Sequence, residues 1–161
     1  MKIKVAYFGV FTALALIFSY VESLIPIHIG IPGVKLGFAN LIIVIALYKM
    51  SLKETYILSV VRIVLAGFMF GNMFAILYSL AGGMLSLTIM CILKKTDKFS
   101  VYGISMAGGV FHNVGQLVMA IIVLESVSIG YYFPVLLISG LATGFVIGVI
   151  SNEMMKRLKK L

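Results

Sequence analysis

Six apolar runs, each ended by polar or turn-forming residues, organise this chain: near 5 to 25, 36 to 49, 55 to 70, 72 to 93, 101 to 124 and 131 to 152. A helix crossing the hydrocarbon core of a bilayer needs about 20 mostly apolar residues. The pattern therefore predicts six membrane-spanning helices, with the second and third short. Only Gly71-Asn72 separates the third from the fourth, which demands a tight turn. Merging those two would leave five spans. No Pro/Ser-rich linker or shift in composition marks off a soluble module, so residues 1–161 are expected to form one all-α, polytopic domain.

Charge decides between five spans and six. Cytoplasmic ends of membrane helices carry the excess of Lys and Arg. With six spans and both termini inside, the inner set is Lys2, Lys4, Lys49, Lys53, Lys94, Lys95, Lys98, Lys156, Arg157, Lys159 and Lys160, eleven of the 13 basic residues. Lys35 alone falls on the outer side and Arg62 lies within a span, whereas merging spans three and four would put Lys94, Lys95 and Lys98 outside. The even topology is the expectation, with both termini on the cytoplasmic side of a bacterial-type plasma membrane.

Composition agrees. At 62% hydrophobic and 11% charged residues, with a mean hydropathy of +1.18, the chain cannot be wrapped into a soluble globule of 161 residues. The net charge of +8 needs no nucleic acid to account for it, because the basic residues lie in short inner loops and the C-terminal run, where anionic lipid is the simpler partner. The first segment, with Lys2 and Lys4 ahead of an apolar stretch, has the outline of a signal peptide. Its apolar run is longer than a usual signal core, so it is expected to remain as a span. Cys91 is the single cysteine, which rules out an intramolecular disulfide or a cysteine metal cluster.

Small residues at four-residue spacing let membrane helices approach closely. Gly140, Gly144 and Gly148 form such a stripe on span six, and Tyr78, Gly82 and Ser86, with Ser79 and Gly83 beside them, form another on span four. Helix packing is the plain reading of both. Gly9 and Ala13 on span one are more ambiguous, since the same spacing can serve a helix from outside.

The few polar residues inside the apolar runs carry the candidate chemistry. Ionisable groups at membrane depth are costly and usually face a protein interior or a water-filled site. Glu22 falls near the outer end of span one, Arg62 about midway along span three, and His112, Asn113 and Gln116 at middle to outer depth in span five. Helical spacing places His112 with Gln116, and Asn113 with Gln116, on shared faces. Two amides there offer donors and acceptors to a ligand. After span one, Pro26-Ile27-His28-Ile29-Gly30-Ile31-Pro32-Gly33-Val34-Lys35 reads as a stiff loop able to cover the outer mouth, with Lys35 as its cation and Asn40 more than one turn into span two. The cations point to an anionic group on the ligand, and the amides with Tyr78 to a polar or aromatic body. The bland alternative is a buried Glu22–Arg62 ion pair that fixes the bundle.

Five stretches carry a family resemblance: Glu22-Ser23-Leu24-Ile25-Pro26, Pro32-Gly33-Val34-Lys35-Leu36-Gly37-Phe38-Ala39-Asn40, Ser59-Val60-Val61-Arg62, Tyr78-Ser79-Leu80-Ala81-Gly82-Gly83 and His112-Asn113-Val114-Gly115-Gln116. Together they resemble the so-called Gx transporter family, also labelled heptaprenyl diphosphate synthase component I and grouped with the substrate-binding S components of energy-coupling factor transporters. The similarity runs over nearly the whole chain. It implies a six-helix S component that captures a vitamin-like compound or an isoprenoid or quinone precursor from outside. It also implies partners, a transmembrane coupling protein and cytosolic ATPases. In S components an Ala-x-x-x-Ala pattern on the first helix meets the coupling protein; here the nearest match is Gly9 to Ala13, with Ala6 and Ala15 nearby.

Enzymatic readings fare poorly. Prenyl diphosphate synthases hold magnesium diphosphate through clustered aspartates, and this chain has one Asp, Asp97, in an inner loop. No Walker-type loop, metal-binding helix motif or Ser/His/Asp triad is present, and no cofactor is implied. Two alternatives to the S-component reading stay open: a non-catalytic membrane subunit of a polyprenyl diphosphate synthase, and an autonomous proton-coupled carrier titrating Glu22 and His112.

Overall fold

The computed structural model describes residues 2–24 and 37–158, and the loop read as a lid, with Lys35, lies outside them. Among the described residues the chain is helical throughout: α1 (Lys2–Leu24), α2 (Asn40–Lys49), α3 (Leu52–Phe70), α4 (Met73–Lys95), α5 (Val101–Leu124) and α6 (Phe133–Leu158), with a short 3-10 helix at Val127–Tyr132.

Local chemistry sets the helix starts. Ser51 and Glu54 form a reciprocal capping box at the head of α3. Asn72 accepts the Ala75 N–H at 2.8 Å, so the Gly71-Asn72 break separates α3 from α4 as the sequence predicts. Ser100 does the same for Gly103 at 3.3 Å at the head of α5.

Six helices are present, but they are not equivalent. The stretches Val5–Leu24, Met73–Lys95, Val101–Leu124 and Val127–Arg157 are long and apolar enough to cross a membrane. The predicted second and third spans differ from these four. α2 has 10 residues and is about 15 Å long, half the hydrocarbon thickness. α3 has 19 residues, yet it carries Lys53, Glu54 and Arg62. The chain is thus a membrane-embedded helical protein with four helices fit to cross by length and composition.

Short connections make α2 to α6 antiparallel in turn, and the Glu22–Gly37 contact brings the end of α1 to the head of α2. Lys49, Lys53, Lys94, Lys95, Lys98, Lys156 and Arg157 consequently gather at one end of the bundle, and Glu22 and Asn40 at the other. α2 lies between α1, α3 and α6, and every residue from Asn40 to Leu47 is buried. Its apolar side chains form the middle of a core to which Phe11, Leu58, Leu87, Ile104 and Ile147 contribute from the other five helices.

The small-residue stripes pack helices, as their plain reading predicts. A Cβ on Gly144 would lie 2.7 Å from Met106 Cα, and one on Gly148 3.0 Å from Tyr102 Cα, so α6 meets α5 backbone to backbone. On α4, a Cβ on Gly82 would lie 2.6 Å from the His112 carbonyl oxygen, and Ser86 donates to the Gly108 carbonyl at 2.8 Å. α5 is therefore clasped on both sides.

Candidate functional site

The end of the bundle away from the basic residues holds a buried polar seam, built from the ends of α1 and α2 and the middles of α3 and α5. Glu22, in the last turn of α1, accepts a hydrogen bond from the Gly37 N–H. Gly37 has φ +84°, a left-handed conformation that favours glycine, and its carbonyl accepts the Asn40 N–H at 2.8 Å to start α2. Asn40 Oδ1 in turn accepts from Arg62 Nη2 at 3.2 Å. One chain of contacts thus runs from α1 through the head of α2 to α3.

Glu22 and Arg62 are 8% and 6% exposed and feel each other's charge, but they do not form a contact ion pair. Each is held instead by a neutral group, Gly37 for the carboxylate and Asn40 for the guanidinium. Both line a cavity of about 20 Å³ with Ser19 and Ser79, against the apolar walls of Ile63 and Ala75. That volume admits about one water molecule.

His112 continues the seam into α5. Its Nδ1 lies 3.2 Å from where a Cβ on Gly82 would stand, and its Cδ2 3.6 Å from a Cβ on Gly37, so the ring is wedged between α4 and the head of α2 within reach of the Arg62 charge. Gln116, one turn further, is fully buried against Gly82. Several polar atoms here have no hydrogen-bond partner among the described residues: Arg62 Nε, Ser59 Oγ and both amide atoms of Gln116. Buried polar groups are nearly always paired, and unpaired ones cost more in a membrane than in water. Their concentration around one level sets this region apart from the rest of the interior.

The remaining predicted residues are distributed differently. Asn113 turns to α6, where its Nδ2 donates to the Leu136 carbonyl at 2.7 Å and to Ser139 Oγ at 3.2 Å. It does not share a partner with Gln116, as spacing alone suggests. Residues three apart on a helix diverge by about 60°, enough for α5, flanked by α4 and α6, to point one amide at each neighbour. Tyr78 packs with Leu117, Ala120 and Leu136 in a separate apolar cluster. Ala6, Gly9 and Ala13 are exposed on α1, and nothing lies within 4 Å of a Cβ built on Gly9.

Three cavity or seam residues were not singled out from sequence. Gly37 had a signal, a glycine three residues before a buried Asn that opens a helix. Ser19 stands three residues before Glu22 and so shares its face, and Ser79 was noted only as a packing residue.

A family model described as heptaprenyl diphosphate synthase component I matches residues 11–154. No curated protein and no solved structure matches the chain.

Proposed function

The chain belongs to the heptaprenyl diphosphate synthase component I family, and from that premise we propose that it is a membrane-embedded binding component that captures a small polar or amphiphilic molecule for an energy-coupling factor type importer. One observation carries the reading. Glu22, Asn40, Arg62, His112 and Gln116 come from four helices to the same buried region, and Arg62 Nε and both amide atoms of Gln116 have no partner among the described residues. Structural bracing alone would pair those atoms, because an unsatisfied buried group costs about 1–3 kcal/mol.

In this reading Arg62 takes the anionic or most polar group of the ligand, and Gln116 and His112 read its hydrogen-bonding edge. A vitamin-sized ligand needs a pocket of roughly 300 Å³ or more, far above the cavity of about 20 Å³. Entry therefore separates the head of α2 from both α1 and α3, exchanging the Glu22–Gly37 and Asn40–Arg62 contacts for contacts with the ligand. The basic end faces the cytosol, and the exposed Ala6, Gly9 and Ala13 surface of α1 receives the coupling protein, since small side chains allow a second helix to approach closely. A single membrane-embedded domain fits, with α2 enclosed among the other helices.

The family's name supports a second reading, a non-catalytic partner of a prenyl diphosphate synthase. The chain's one Asp, Asp97, lies at the basic end, remote from the seam, so a magnesium diphosphate site would belong to the partner. Affinity purification from native membranes separates the two. Recovery of a transmembrane coupling protein with ATPases, and of a small molecule by native mass spectrometry that Arg62→Lys fails to retain, supports the importer. A stoichiometric soluble synthase subunit, with no ATPase and no retained molecule, overturns it in favour of the second reading.

A further inference from the structure

A helix that is apolar on every face is poorly specified by burial alone. Leu41-Ile42-Ile43-Val44-Ile45-Ala46-Leu47 presents similar branched side chains in all directions, and all seven are buried. Rotating or sliding such a helix exchanges one aliphatic contact for another at little cost, so its register has to come from polar contacts at its ends. At the head of α2 these are the Gly37 turn and the Asn40–Arg62 hydrogen bond. At its tail the corresponding contact comes from another helix. Lys94, in the last turn of α4, donates from Nζ to the Leu47 carbonyl at 2.5 Å and holds the same ammonium 4.8 Å from the centre of the Tyr48 ring.

The Leu47 carbonyl is one of the last-turn acceptors that a helix leaves without an internal partner. The Ala46 carbonyl next to it is taken by the Met50 N–H at 2.8 Å. A cation at this end also meets the negative pole of the helix dipole. Lys94 thus combines a cap, a charge and a ring contact on a single turn of α2, while its neighbour Lys95 is exposed.

We propose that Lys94 is a positioning residue for the buried polar seam. By clamping the tail of α2 it fixes the axial register in which Asn40, about 10 Å away at the other end of the rod, meets Arg62. The rod links the basic end of the bundle to the seam whatever molecule the seam takes.

Hydrogen exchange on the full chain in lipid nanodiscs tests this. Lys94→Met should speed exchange of the amides at 37–41, which depend on the Glu22 and Gly37 contacts, by tenfold or more, along with those at 46–50. Lys94→Arg, which keeps a cationic donor, should restore both segments. Lys95→Met should change neither. A purely local cap predicts faster exchange at 46–50 alone. That result, failure of the Arg variant to restore 37–41, or an equal effect from Lys95→Met would overturn the proposal. Should Lys94→Met not fold, Tyr48→Leu removes only the ring contact and should speed the 37–41 amides two- to threefold; no change there would count equally against it.

Discussion

Helices α4, α5 and α6 meet backbone to backbone through Gly82, Gly109, Gly115, Gly140, Gly144 and Gly148, whereas α1, α2 and α3 meet through long side chains, charges and a short apolar rod. The first half has no slack. A Cβ on Gly115 would lie 2.7 Å from the Ala81 carbonyl, and one on Gly140 2.9 Å from that of Gly109. In the second half Gly9 faces open space, and Glu22 and Arg62 flank a cavity rather than each other. Interfaces made by backbone contact resist separation without local collapse. Contacts made by side-chain tips can be exchanged one at a time, so in the proposed reading α1–α3 yield to a ligand while α4–α6, which carry His112 and Gln116, hold still.

The sharpest way to break this contrast is to add bulk on each side. Gly109→Leu drives a side chain into the Gly140 carbonyl and should destabilise the protein on the order of 3 kcal/mol, as overpacking of a tight core does. Gly9→Leu should change stability by less than about 0.5 kcal/mol. Thermal unfolding of both variants in nanodiscs decides it, and comparable losses would erase the distinction between the halves.

Arg62→Lys tests the polar half. An ammonium cannot keep the Asn40 contact and also offer a fork to an anion, so retention of the bound molecule should fall roughly tenfold, about 1.4 kcal/mol, with Lys35→Arg tolerated. If Arg62 merely braces the bundle, unfolding temperature falls while affinity in the folded fraction stays the same. Equilibrium binding and melting on one preparation distinguish these outcomes.

Smaller effects sharpen the picture. Ser86→Ala removes the hydroxyl that bonds the Gly108 carbonyl and should cost about 0.6 kcal/mol, the average for hydrogen bonds between membrane helices. Gln116→Leu should cost nothing or stabilise slightly, within about 0.5 kcal/mol, because it removes an amide with no partner to lose. A clear destabilisation by the Leu variant would mean that Gln116 is structural and belongs with the scaffold. Loss of the retained ligand with stability intact would place it in the site.

Much of the frame was legible before any coordinates. The break at Gly71-Asn72 could be read because an Asn cap and a glycine bend act within a few residues. The stripes on α4 and α6 could be read because small side chains at four-residue spacing have few other uses in lipid. The polar seam was legible as a set, since polar residues are rare at such depth, but its internal contacts were not. Glu22 bonds Gly37 and Arg62 bonds Asn40, rather than each other. Both pairings depend on where the chain returns after residues 25–36, which periodicity does not encode. The second run, expected to be short, holds a helix at Asn40–Lys49, and its enclosure was not legible because an apolar run reads alike as a short buried helix or a crossing.

The sequence by itself determined that this chain lives in a membrane as a helical bundle, where most of its helices begin, and which positions let helices approach. Those properties follow from transfer free energies and from hydrogen bonds that span three or four residues. Only the tertiary structure decided that α2 is an enclosed rod, that Asn113 serves α6 while Gln116 faces α4, and that Lys94 reaches Leu47. Each of these depends on which helix lies against which face, and that is settled by packing between segments far apart in the chain.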